Sequence, residues 1–237
     1  MKEKIYTIPL NEAMDKGTCC PLCALHDKVE KDIIDYTLGP SMMEPDSREE
    51  SNKEGFCAHH LSLLASSGGN KLSLALMLSS HFDTIIKDIE SVSKKTPRPV
   101  TGVLKKKDCG IDLNPLEKHM NSCVICRKLS YTTGRYAEVF VSLWDSENEF
   151  RSKVKNSRGF CQKHLTELIR LSPHKLKDKR CGEFISDLLN VQVNQVKKDK
   201  EQLHGFIDQF DYLKRGSNPD EYREALPDII TRLQGKE

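Results

Sequence analysis

Cys20-Pro21-Leu22-Cys23 and Gly55-Phe56-Cys57-Ala58-His59-His60-Leu61 return later in the chain as Cys123-Val124-Ile125-Cys126 and Gly159-Phe160-Cys161-Gln162-Lys163-His164-Leu165. Between Cys23 and Cys57 lie 33 residues, and between Cys126 and Cys161 lie 34; the CxxC strings are offset by 103 positions and the GFCxxHL strings by 104. Agreement in motif, order and spacing together reads as a tandem duplication, the first thing to establish in any chain. The repeats run over 1–95 and 115–237. A linker over 96–114, with Pro97, Pro99, Gly102, Gly110 and several lysines, joins them.

The repeated residues are metal ligands by type and spacing. Thiolate is a soft anionic ligand that tetrahedral zinc takes at about 2.3 Å, with imidazole nitrogen at about 2.0 Å. Two cysteines separated by two residues can both reach one ion, and a CxxH at a helix start does the same because positions i and i+3 share a face. Each repeat thus supplies two clips, and the nearest-neighbour assignment closes each site within its own repeat. Cys20, Cys23, Cys57 and His60 are expected to hold one zinc, and Cys123, Cys126, Cys161 and His164 a second. Four protein ligands fill a tetrahedral shell, which marks structural sites rather than catalytic ones. Gly55 and Gly159 supply permissive backbone ahead of each clip, and Phe56 and Phe160 an apolar plug beside the ion.

Three other readings compete. Cysteines often sit in cores as small hydrophobes, although two CxxC clips matched to two GFCxxH clips outweigh that account. An iron–sulfur cluster accepts the same ligand types. A CxxC dithiol can cycle to a disulfide, and Pro21 inside the first clip suits that chemistry, yet no βαβ pattern surrounds it. Cys19 and His59 adjoin ligands but fall out of the repeat register. Cys109 and His119 have no counterpart in the first repeat and read as bystanders. Cys181 lies on an apolar stripe, and His26, His81, His174 and His204 sit singly on helical segments as surface or satisfied core residues.

Periodicity makes the chain all-α. Leu25, Val29, Ile33 and Ile34 follow the helical period up to Gly39-Pro40, a stop signal. Asn70 to about Val92 carries Leu74, Leu78, Phe82, Ile85, Ile86 and Ile89 on one face, and a weaker pattern runs from Cys126 to Trp144. A long stripe extends from Leu176 to Leu213, with Gln192, Gln195 and Asp199 in polar middle turns that predict a break or a projection from the core. Asn218-Pro219-Asp220 opens a last helix towards Leu233. No stretch alternates with period two.

Composition excludes some functions. Basic and acidic residues balance at 37 against 35, so no polyanionic partner is implied. The basic runs Lys105–Lys107 and Lys175–Arg180 lack aromatic interleaving and read as solvated surface, which leaves a nucleic-acid-binding zinc protein as the last alternative. The longest apolar stretch, Leu72–Leu78, is too short to span a bilayer. The opening residues show no secretory leader, so a cytoplasmic protein is expected, and nine cysteines in a reducing compartment fit metal binding better than disulfides. No GxSxG, Walker A, GxGxxG or HExxH string occurs, and no residue is assigned a catalytic role. A non-enzymatic interaction or adaptor protein is the first functional reading, with a protein partner or self-association; a thiol-redox or metal-responsive regulator is the second.

Several strings resemble an uncharacterised bacterial domain family, found mostly in Gram-positive and often anaerobic species. They are KIYTIPLNEA (4–13), CPLC (20–23), DYTLGPSMMEPDSRE (35–49), the paired GFCxxHL strings, FDYLKRG (210–216) and EALPDIITRLQG (224–235). Members sometimes carry a transporter substrate-binding label, which implies an exported two-lobed α/β protein; this chain has neither pattern. The resemblance implies no activity. It directs attention to the segment from Tyr36 to Asp46, read as a loop that caps the preceding helix and as the place where a retained function would lie; its counterpart in the second repeat, Ser142 to Glu147, has diverged.

Overall fold

Helices account for the regular structure throughout, in a computed structural model that describes residues 4–95, 111–208 and 225–235. Five precede residue 96: α1 (Lys4–Asp15), α2 (Pro21–Leu38), α3 (Pro45–Glu54), α4 (Ala58–Ser66) and α5 (Lys71–Ser93). Six follow: α6 (Asn114–Asn121), α7 (Val124–Ser146), α8 (Asn148–Lys155), α9 (Gln162–Lys175), α10 (Asp178–Asp208) and α11 (Ala225–Gln234). The same order recurs after each CxxC: a long helix, a short one, the GFCxxH helix and a second long helix. No strand occurs among the described residues. Residues 96–110 of the expected linker, with Cys109 and Lys105–Lys107, fall outside the described residues, as do 210–216 and the Asn218–Asp220 helix start.

Local signals explain most boundaries. Pro21 stands at the first position of α2, where its missing N–H costs nothing. Gly39 ends the helix, and a 3-10 turn over Pro40–Met43 leads into α3. Asn70 caps α5, its side chain accepting from the N–H groups of Leu72 and Ser73. The Tyr36–Asp46 segment is therefore not a loop. It is a helix end, a 3-10 turn and a helix start, pinned where the Tyr36 hydroxyl meets the Glu44 carboxylate and lies 3.1 Å from Ser47 Oγ.

The chain packs as two compact units whose cuts differ from the sequence repeats. One comprises Met1–Val29 with Tyr131–Glu237; the other is Glu30–Ser130. The cuts fall inside α2 and α7.

The 1–29/131–237 unit concentrates the aromatic residues. Phe140 meets Phe150 edge-on at 5.2 Å and Phe160 at 5.5 Å, and Trp144 meets Phe184 at 5.0 Å. Such pairs contribute about 0.5–1.5 kcal/mol each beyond area burial. The guanidinium groups of Arg151 and Arg180 lie over the Trp144 ring at 4.7 and 4.8 Å.

The middle turns of α10 neither break nor leave the core. Gln192 holds the Phe160 backbone from both sides, accepting from its N–H and donating to its carbonyl at 3.0 Å each. Gln195 donates to Asp199 Oδ1 at 2.8 Å, and Asp199 pairs with Arg232 of α11, all three buried. A polar stretch in a helical stripe predicts solvent only when no second polar group answers it.

The 30–130 unit has an aliphatic core of Ile34, Leu38, Leu64, Leu74, Met77, Val124 and Ile125 around Phe56. Here α5 departs from its expected single buried face. Leu74, Met77 and His81 are buried, whereas Phe82, Ile86 and Ile89 are each more than half exposed. His81 is a satisfied core histidine, its Nδ1 donating to the Asn52 carbonyl at 2.9 Å. His119 is engaged too, 2.7 Å from Asp88 and edge-on to His81.

Candidate metal centres

The eight expected ligands gather into two groups, but each group draws on both repeats. Cys20 and Cys23 meet Cys161 and His164 in the 1–29/131–237 unit, and Cys57 and His60 meet Cys123 and Cys126 in the 30–130 unit. Within each group the ligand atoms lie within 4.8 Å of one another. Pairing within a repeat is thus corrected to pairing across repeats. Helix length favours this. The 18 residues of α2 and the 23 of α7 carry the chain away from the preceding CxxC by about 27 and 35 Å, and the helices that follow, ten residues in α3 and eight in α8, are shorter. The connecting residues are long enough to make up the difference, so helix length favours the crosswise pairing without dictating it.

Helix starts position the clips. Cys57 and Cys161 are the N-caps of α4 and α9, with extended backbone, so the following histidine one turn on lies beside the sulfur. Gly55 and Gly159 reach these caps with φ of 66° and 79°, left-handed values that suit glycine. Space demands glycine as well: a Cβ on Gly55 would sit 2.6 Å from His81 Nε2, and one on Gly159 2.8 Å from Gln192 Oε1. Phe160 is fully buried and Phe56 nearly so.

The distances suit one ion per group. His164 Nδ1 is 3.5, 3.4 and 3.1 Å from the sulfurs of Cys20, Cys23 and Cys161. His60 Nδ1 is 3.2, 3.5 and 3.3 Å from those of Cys57, Cys123 and Cys126, and the Cys57 and Cys126 sulfurs are 3.7 Å apart. A zinc tetrahedron with the bond lengths above has S···S edges of about 3.8 Å and S···N edges of about 3.5 Å.

Crowding polarises the thiols. Burial, reinforced by the Cys161 and Cys23 thiols, holds Cys20 well above the usual thiol range. Cys161 is driven far below it, chiefly by the thiols of Cys20 and Cys23. Burial opposes a charge on His164, but the Cys161 and Cys23 sulfurs outweigh it and raise the imidazole to about 9. In the other group, desolvation and then Cys123 push Cys126 up to about 12. Cys57 is lowered although burial opposes it, because the His60 backbone N–H and the Cys126 and Cys123 thiols prevail. Three sulfurs this close can all ionise only around a cation.

The neighbours of the ligands stay outside. Cys19 is buried but joins neither group, and His59 is half exposed. Supporting residues that the motifs do not reveal do appear. Glu30 Oε1 lies 3.3 Å from Nε2 of both His60 and His59 and is hydrogen-bonded to His59, so that a carboxylate stands beside the ligand imidazole. In the 30–130 unit the Val124 N–H donates to the Gly55 carbonyl at 3.1 Å and ties clip to clip. The corresponding residue of the other CxxC is Pro21, which has no N–H. There Arg232 Nη1 spans the gap, donating to the Cys19 carbonyl at 3.1 Å and the Arg158 carbonyl at 2.7 Å. The only signal for it was the EALPDIITRLQG string in which it stands.

No curated protein and no solved structure matches this chain. A family profile does, over residues 1–237: the chain belongs to DUF6062, a family of unknown function.

Proposed function

We propose that this DUF6062 chain is a two-zinc protein whose Cys3His centres organise two helical units, and that it acts as a non-enzymatic interaction protein of the cytoplasm. The observation that carries the metal reading is the convergence of eight ligands, far apart in sequence, into two groups with the edge lengths of single-ion tetrahedra. Zinc is the ion because three soft thiolates and one imidazole suit it and need no redox partner. An iron–sulfur cluster would spread its ligands over several iron atoms, whereas these converge on one point. The ligand thiols must stay reduced, which fits the cytoplasm.

The interaction role is supported by apolar residues left in solvent on both long helices. On α5 they are Leu72, Leu76, Phe82, Ile86 and Ile89; on α10 they are Leu189, Val193, Val196 and Ile207. Exposed apolar stripes of this kind are what protein partners or further copies of the chain cover.

Elemental analysis tests the metal reading, and paired variants test the pairing. About two zinc per chain are expected, falling to one in Cys57→Ser and in Cys161→Ser. The double variant Cys20→Ser/Cys161→Ser disables one site and should keep one ion; Cys20→Ser/Cys57→Ser disables both and should keep none. The reverse pattern would restore pairing within repeats, and metal-free wild-type protein would sink the zinc reading. Sedimentation of the full chain with Phe82→Glu tests self-association. A larger species lost in the variant, with helicity unchanged, supports it; a monomer indifferent to the new charge leaves only a different protein as partner.

A further inference from the structure

The two centres have the same ligands and different surroundings. Cys20, Cys23, Cys161 and His164 are 1, 2, 0 and 4 % exposed. The end of α11 closes over them: a Cβ built on Gly235 would lie 3.3 Å from Cys161 Sγ, and Arg232 of the same helix ties the two clips together. In the 30–130 unit Cys126 is exposed and Cys57 half-buried, and these two sulfurs share the 3.7 Å edge. Beside that centre stand the Glu30 carboxylate and the half-exposed His59, both of metal-binding type, and Glu30 also touches Nε2 of the ligand His60.

Zinc exchanges ligands by adding before it loses, expanding from four to five neighbours. An incoming ligand must therefore reach the ion while its thiolates are still in place. The closed centre offers no such approach, and the open one offers it across the Cys57–Cys126 edge.

We propose that the 30–130 centre is an exchange site, which passes its ion to and from soluble chelating ligands, while the Cys20/Cys23/Cys161/His164 centre is a permanent structural one. The inference rests on the two-zinc reading above. In the exchange step the acceptor forms one bond to zinc, a thiolate of the exposed edge leaves and takes a proton from water, and the remaining bonds follow; no oxidant takes part. Glu30 Oε1, 3.3 Å from Nε2 of His60 and hydrogen-bonded to His59, keeps a carboxylate beside the site for reloading.

The test uses the full zinc-loaded chain and a chromogenic chelator, 4-(2-pyridylazo)resorcinol, with iodoacetamide to trap freed thiols for mass spectrometry. Two phases of one equivalent each are expected, separated by about tenfold or more in rate. Cys57, Cys123 and Cys126 should be alkylated with the fast phase, and Cys20, Cys23 and Cys161 only with the slow one. Release of both equivalents in one phase, or first labelling at Cys20 or Cys161, overturns the proposal while leaving two bound ions intact. Fewer than two equivalents of metal at the start overturns the two-zinc reading, and the exchange site with it. The wild-type chain suffices, so a variant that misfolds cannot obscure the answer.

Discussion

Replacing Arg232 by methionine keeps the aliphatic stem and removes the guanidinium. The buried Asp199 carboxylate then loses its ion-pair partner, and the carbonyls of Cys19 and Arg158 lose their donor. Breaking a buried pair from one side costs about 3–5 kcal/mol, because the surviving charge stays desolvated. A domain of this size loses about 2–4 °C of melting temperature per kcal/mol, so the variant should melt roughly 6–20 °C below wild type in zinc-replete buffer. Far-ultraviolet circular dichroism reads the transition. The informative control is Arg232→Met combined with Asp199→Leu, which removes both charges and should recover more than half of the loss, since apolar replacements of buried pairs are often neutral. Arg232→Lys should rescue poorly, because an ammonium cannot span a carboxylate and two carbonyls in a fixed fork. A single variant that melts within about 2 °C of wild type, or a double variant as unstable as the sum of its parts, would refute the role given to this network.

Other substitutions probe different links. Gly159→Ala forces a Cβ onto a left-handed backbone and against Gln192, and should lower stability by about 1–2 kcal/mol or more, read by urea denaturation. Gly55→Ala should do the same in the 30–130 unit through His81. Removing metal with a strong chelator should abolish most helical signal, because structural zinc contributes about 10–16 kcal/mol of apparent binding energy against a total stability of about 5–15 kcal/mol. An acid effect follows from Asp88, whose carboxyl is held below the usual range by hydrogen bonds from Lys118 and then His119. A depressed folded value means its contribution is present above the unfolded carboxylate range and lost as pH falls through the folded one. Asp88→Asn should therefore flatten the acid limb of the stability–pH curve, by no more than about 1 kcal/mol for so exposed a pair.

The all-helical class, the positions of α2, α5 and α7, and the identity of the gathered residues were legible because each rests on short-range signals. Helical periodicity, Gly39-Pro40, the Asn70 cap and i to i+3 clips all act within a few residues. Which clip meets which is a long-range question on which chemistry is silent, since both pairings give three sulfurs and one nitrogen. Helix length favours the crosswise answer, since Pro21 to Leu38 carries the chain away from its own clip, but the residues that follow are long enough to return it. Gln192, Gln195 and Asp199 misled because a polar residue on an apolar stripe signals solvent unless its partner is known. For Asp199 that partner is Arg232, 33 residues on, and for Gln192 it is the backbone of Phe160, 32 residues back. Glu30 was invisible for a different reason: it carries no motif, and only its closeness to the His59 and His60 rings marks it.

Crosswise pairing changes what half of this chain could do alone. A fragment of residues 1–95 would own one CxxC and one GFCxxH, but neither of the clips that these meet in the intact chain. Two such fragments, each lending its CxxC to the other's GFCxxH, would close both sites by exchanging elements between copies. The intact chain performs that exchange with itself, and so turns what would be a concentration-dependent assembly into an intramolecular one. Severing the connection between repeats should accordingly cost metal binding on dilution, and return it when the two halves are mixed at high concentration.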